Sequence, residues 1–209
     1  MRSRQTNKPD KYIVSECAKV LRDELPYNLH IFVNSVEFIA KVIDTLKLAP
    51  EAVKIVCSTS GDSRQENQRK LGNAYPIGQP SDPAKKINFY TSTCFEGCDI
   101  FDPDGVTFIV SDGRKAHTLL DISTLFTQIC GRIRDSRYKT QIVHVYSTTK
   151  YSKAVTLDEF VAATQRTLAD AEKFASDINA VDEPSREKLL KKIPYINEQY
   201  VRIADNRLI

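Results

Sequence analysis

"VTFIVSDGRKAHTLLDISTLFTQICGRIRDSRYKTQIVHVYS", residues 106–147, decides the fold. Its two ends, VTFIVS (106–111) and TQIVHVYS (140–147), are short apolar runs rich in β-branched residues, and they read as strands. Between them DISTLFTQICGRIRDSRY (121–138) reads as a half-apolar helix. A strand, a crossover helix and a second strand form the unit that builds parallel sheets.

The pattern repeats toward the N-terminus. LHIFV (29–33), VKIVC (53–57) and INFYTS (87–92) are further predicted strands. Val36, Ile39, Ala40, Ile43 and Leu46 mark the inner face of a helix between the first two. Ile13, Cys17, Val20, Leu21 and Leu25 predict another helix from Lys11 to Leu25, stopped by Pro26. Ser63 reads as an N-cap with Glu66 closing a capping box. Residues 1–10 are polar and expected to be loose, and residues 72–86 read as a loop. The strands are continuous apolar runs, as expected when helices cover both faces of a sheet. The expected architecture is α/β, a mostly parallel sheet over 27–150, with 1–26 a tail and helix packing on it. LDEFVAATQRTLADAEKFASDI and SREKLLKKIPYINEQYVRI make 151–209 a helical extension, whose basic KLLKK (188–192) reads as a solvated face.

Composition narrows the function classes without naming one. The chain has 209 residues, 41% hydrophobic and 27% charged, with a net charge of +3, so any nucleic-acid case depends on where the cations sit. No apolar run approaches the length of a membrane span, and MRSRQTNKPDKY lacks the hydrophobic core of a signal peptide. Five scattered cysteines, an odd number, predict free thiols and an intracellular, cytoplasmic setting. His30, His117 and His144 show no metal-ligand spacing with Cys94 and Cys98, and no metal site is expected.

In an open α/β sheet, ligands gather beyond the carboxyl ends of the strands. There the segment YTSTCFEGCDI (90–100) ends a strand in Thr91, Ser92 and Thr93, whose hydroxyls and backbone N–H groups suit phosphate oxygens. Gly97 permits a tight path and Asp99 follows; a turn that merely caps the next segment would use the same residues. In the helix of 121–138, Gln128 and Arg132 share a face, and Gly131 beside them allows a close approach. Arginine suits bidentate phosphate contact, although a solvated basic helix end is the plainer alternative.

Taken in order, these segments resemble the second RecA-like domain of superfamily 2 helicases. IFVNS resembles motif IV, TSTCFEGCDI motif V and QICGRIR motif VI, over about residues 27–150. The resemblance implies a RecA-like fold that clamps ATP with Mg2+ against a partner P-loop domain and holds single-stranded DNA or RNA across its top. It implies arginine fingers at Arg132 and Arg134, with Gln128 ordering the interface. Asp99, Gly97 and Gly131 would serve the nucleotide side, and Ser35, Thr91 and Thr93 the strand. One departure stands out: Asp135 occupies the place of the usual second arginine, and Arg134 comes one position early, as in the shorter G-R-x-R form of Dicer-like and RNA-sensing members. On a regular helix Arg132 and Arg134 would point about 200° apart, so both reach one ligand only if the helix ends or distorts near Ile133.

No G-x-x-x-x-G-K-[ST] and no Mg2+-binding D-E-x-D/H stretch occurs, so ATP hydrolysis by this chain alone is not expected. The expected function is the C-terminal motor domain of an ATP-dependent helicase or translocase. The alternative is a non-catalytic nucleic-acid-binding or interaction module on the same fold. A small-molecule α/β enzyme is a distant third, for want of a nucleophile–base pair or a dinucleotide glycine fingerprint.

Overall fold

The computed structural model describes residues 1–148, 155–192, 201 and 203–209. The chain divides into two compact units, Met1–Lys150 and Tyr151–Ile209.

The first unit is built on six parallel strands: β1 (Arg2–Gln5), β2 (Asn28–Phe32), β3 (Val53–Val56), β4 (Ile87–Tyr90), β5 (Gly105–Asp112) and β6 (Ile142–Ser147). Their spatial order is β1-β6-β5-β2-β4-β3. Each strand sends alternate side chains to opposite faces. Ile31, Phe89 and Phe108 pack on one face against Ile13 and Cys17 of α1 (Pro9–Leu21), Ile39 and Ile43 of α2 (Val36–Leu46) and Leu71 of α3 (Ser63–Leu71). Phe32, Tyr90 and Ile109 pack on the other, under Phe126 and Ile129 and the loop residues Phe95 and Ile100. The sheet is therefore covered on both sides, as its apolar strands require, in an arrangement consistent with a RecA-like fold.

Four local expectations are corrected. Residues 1–10 are not loose: Arg2–Gln5 pairs in parallel with Val143–Tyr146. The first helix runs Pro9–Leu21 rather than to Leu25, because Asp23 turns left-handed (φ 55°) and Glu24 N–H reaches back to Lys19 O, a Schellman-type ending. The cap of α3 is Asp62 without a side-chain hydrogen bond, and Glu66 pairs with Lys70, so no Ser63–Glu66 box forms. The predicted helix over 121–138 is a π turn (Ile122–Phe126) and one α turn, α4 (Thr127–Cys130), which stops at Gly131.

Both sheet edges are managed. At β3, Gly78 N–H donates to Ile55 O, and the loop is strapped down by two lysines. Lys54 Nζ donates to Pro80 O and Asp82 O, and Lys85 Nζ to Pro50 O and Val53 O. At the other edge β1 is four residues long and fully exposed, carrying Arg2 and Arg4.

In the second unit, helices α5 (Leu157–Ala180) and α6 (Glu183–Lys192) are followed by a hairpin, β7 (Ile203–Ala204) and β8 (Arg207–Leu208). The tail read as helix is thus a hairpin at its end, turned by Asp205 and Asn206 at φ 48° and 58°. The predicted helix through 193–200 lies outside the described residues. Arg186 fixes the hairpin by donating to Asn206 O, Asn179 O and Val181 O. No helix among the described residues is long and apolar enough to cross a membrane.

Candidate nucleotide and strand site

From β2 the chain crosses toward β3, and from β5 toward β6, so the sheet reverses its winding between β2 and β5. The carboxyl ends of these strands, with that of β4, form the crevice where ligands of such sheets gather. Three sequence-predicted segments meet there.

At the end of β2, Asn34 and Ser35 divide two tasks. Ser35 is buried and caps α2, its Oγ accepting from Phe38 N–H at 3.2 Å. Asn34 bridges two loops, donating from Nδ2 to His117 O (2.9 Å) and accepting Ser92 N–H at Oδ1 (3.3 Å).

The loop after β4 opens with a 3-10 turn, Ser92–Cys94, that drives Cys94 and Phe95 into the core and leaves Ser92 and Thr93 exposed. Thr91 is buried, its Oγ1 3.4 Å from that of Thr93. Gly97 sits at φ 71° with no atom within 4 Å of a would-be Cβ, so backbone conformation rather than space demands glycine there.

The segment after α4 closes onto this loop like a strand. Ile133 makes a parallel bridge with Ile100: Ile100 N–H donates to Arg132 O at 2.9 Å and Arg134 N–H to Ile100 O at 3.0 Å. This extended backbone sends neighbouring side chains opposite ways, so Ile133 is buried in the core between two arginines. Arg132 is only 8% exposed. Its Nε donates to Gln128 O (2.9 Å), Nη1 to Cys98 O (2.9 Å) and Nη2 to Gln128 Oε1 (2.6 Å). Arg134 is about half exposed and pairs with the equally exposed Asp99 at 2.7 Å. Asp135, at the place where a second arginine was sought, accepts Asp102 N–H at 2.9 Å and so extends the zipper.

Gly131 lies at the exposed end of α4 with φ −97°, and a Cβ there would meet only Gln128 O at 3.7 Å and Arg134 Nη1 at 4.0 Å. Among the described residues no other backbone of this chain approaches it closely, so packing within the unit does not require glycine there. Gly131→Ala is expected to fold normally, with a gain of about 0.4–1 kcal/mol from a stiffer unfolded chain. Urea unfolding checks it, and a loss beyond about 1 kcal/mol would overturn it.

Two polar clusters brace the site from outside the expected set. Asp112, at the end of β5, accepts from Arg114 Nε (3.0 Å) and Nη2 (3.0 Å) and from Ser147 Oγ (2.7 Å). The Arg114 hydrogen bonds, opposed by burial, hold its carboxyl down at about 2. Beneath the sheet's second face, His30 Nε2 lies 2.7 Å from Asp102 Oδ2 and Nδ1 3.1 Å from Tyr90 Oη. Burial pushes His30 below its ordinary value despite the Asp102 carboxylate, which makes it the neutral donor to Asp102 and acceptor from Tyr90. His30 had no visible partner in the sequence because Asp102 lies 72 residues away.

The cysteines are free, and burial pushes the thiols of Cys17 and Cys94 to about 12 and of Cys57 to about 11, which leaves them un-ionised at neutral pH. Among the described residues no group of His, Cys, Asp or Glu could hold a metal ion. Compared with protein-family models and with curated proteins, the chain matches none.

Proposed function

We propose that this chain is the C-terminal motor domain of an ATP-dependent nucleic-acid helicase or translocase, acting on single-stranded DNA or RNA in the cytoplasm. A P-loop RecA-like domain, in the same polypeptide or another chain, completes it. The observation that carries the reading is the junction of the 91–99 loop with the 128–134 segment at the sheet's carboxyl edge. An exposed hydroxyl, Thr93, and a half-exposed guanidinium, Arg134, thereby hang from one zippered backbone.

The chemistry of the donor set fits one side of an ATP–Mg2+ site. Guanidinium groups are present to meet phosphate, while the metal and the β- and γ-phosphates fall to the P-loop partner, which with bound ATP supplies the phosphoryl group. This chain's residues bind and orient. The exposed Thr93 hydroxyl faces a strand's phosphates. Ser35 and Thr91, both buried, hold the backbone that presents them. Gln128 anchors Arg132, and Asp99 holds Arg134 until the domains close. A second reading, a binding module without turnover, is favoured by one fact: Arg132 spends its donors on its own chain.

The deciding experiment measures ATP turnover of this chain alone and of its assembly with the P-loop domain, with and without single-stranded DNA and RNA. The expected outcome is no turnover by the chain alone and strand-stimulated turnover by the assembly. Silence in both, with each folded and a strand still bound, would replace the motor by the binding module.

A further inference from the structure

The two arginines of GRIR differ in everything that decides whether a guanidinium can leave home. Arg132 is buried and donates to three acceptors, two of them carbonyl oxygens, one on each side of the junction. To reach a ligand it would have to leave its buried position and break three hydrogen bonds at once, two of them to main-chain carbonyls. Arg134 gives up a single exposed ion pair, and exposed pairs of this kind hold their partners weakly. Resting on the motor reading above, we propose that Arg134 alone is the guanidinium that meets the nucleotide's phosphates, and that Arg132 is a positioning residue that fastens the strand-facing loop to the nucleotide-facing segment.

The geometry gives Arg132 a specific task. Cys98 O lies one residue past Gly97, the left-handed hinge of the 91–99 loop. A guanidinium bridging that carbonyl to Gln128 fixes the loop's far limb, while Thr91 N–H, donating to Val56 O, fixes its near limb. Thr93 hangs between the two anchors. Arg132 therefore sets where Thr93 stands relative to Arg134, so a strand contact and a phosphate contact share one support. Asp99, next in sequence to Cys98, moves with the same limb and holds Arg134 in its resting position.

The test pairs variants with readouts that separate the two jobs. In the assembly with its P-loop domain, Arg134→Ala is expected to lower kcat by about a thousandfold or more, the scale of a lost arginine finger. It should leave the affinity of the 209-residue chain for a fluorescent oligo(dT) or oligo(rU) within about twofold. Arg132→Ala is expected to weaken oligonucleotide affinity about tenfold without nucleotide and to speed amide exchange over 94–100. Arg132→Lys, able to reach one carbonyl, should recover part of both. If Arg132→Ala instead leaves loop exchange and oligonucleotide affinity at wild-type values while abolishing turnover, Arg132 is the finger and the division is wrong. If the wild-type assembly neither turns over ATP nor binds either strand, the motor reading falls. Amide exchange still reports whether Arg132 fastens the loop, so the two failures are told apart.

Discussion

Asp102→Ala is expected to destabilise the first unit by about 2–3 kcal/mol, the scale of leaving a buried hydrogen-bonding group without its partner. Asp102 is 4% exposed and accepts from His30 Nε2, from Asn28 Nδ2 and from the Asp104 N–H. Burial raises its pKa, but these donors outweigh burial and hold it below the ordinary carboxylate value. Truncation leaves the fully buried His30 without the acceptor for its Nε2 and the half-buried Asn28 amide and Asp104 N–H without theirs, and Tyr90 loses the oriented imidazole that accepts its hydroxyl. Urea unfolding near neutral pH measures the loss; a cost under about 1 kcal/mol would mean that water replaces the carboxylate. His30 supplies a pH signature with a defined sign. Its folded pKa lies below the unfolded value of 6.5, so the unfolded chain takes up the proton first and stability falls as pH drops through 6.5. His144, lowered by burial, adds a term of the same sign, so His30→Asn should flatten the slope without abolishing it.

Asp112→Asn is expected to cost about 1–2 kcal/mol near neutral pH. The carboxyl drops from 3.8 to about 2 on folding, a gain of about 1.4 kcal/mol for each tenfold tighter hold on its charge, trimmed because the principal partner Arg114 is 62% exposed and screened. A depressed carboxylate stabilises above its unfolded pKa and loses that stabilisation as pH falls through its folded one. The difference from wild type should therefore shrink by about half at pH 3 and vanish near pH 2. A gap independent of pH would assign the loss to packing of the Ser147 hydroxyl rather than to charge.

The sheet and most of its helices were legible because long apolar runs carry their own period. VTFIVS, LHIFV and INFY announce strands whatever lies around them. RSRQ does not: β1 has no apolar residue, and it is a strand only because β6 offers an unpaired edge. Helical character in QICGRIR was readable, but the stop at Gly131 was not, since Ile133 leaves the helix for a bridge to Ile100, a tertiary preference no local window contains. The same bridge turns both arginines away from Ile133 but buries Arg132 under three hydrogen bonds and leaves Arg134 half exposed, so spacing identified both arginines without separating their environments. The hairpin of 203–208 did leave a signal, the turn-forming Asp205-Asn206 after the apolar Ile203-Ala204. It was overridden by the helical run before it.

The guarded edges of the parallel sheet have a consequence for how the chain behaves in a crowd. A six-stranded sheet with unpaired N–H and C=O rows at both ends is a template for any extended peptide, including another copy. One end here is closed by the loop that Lys54 and Lys85 strap over β3, the other is a four-residue ribbon bearing two guanidinium groups. Charge repels a second β1, and the strap leaves β3 no vacant row. Cutting the strap with paired Lys→Ala changes would expose that row while the core stays intact, giving a unit that seeds its own assembly.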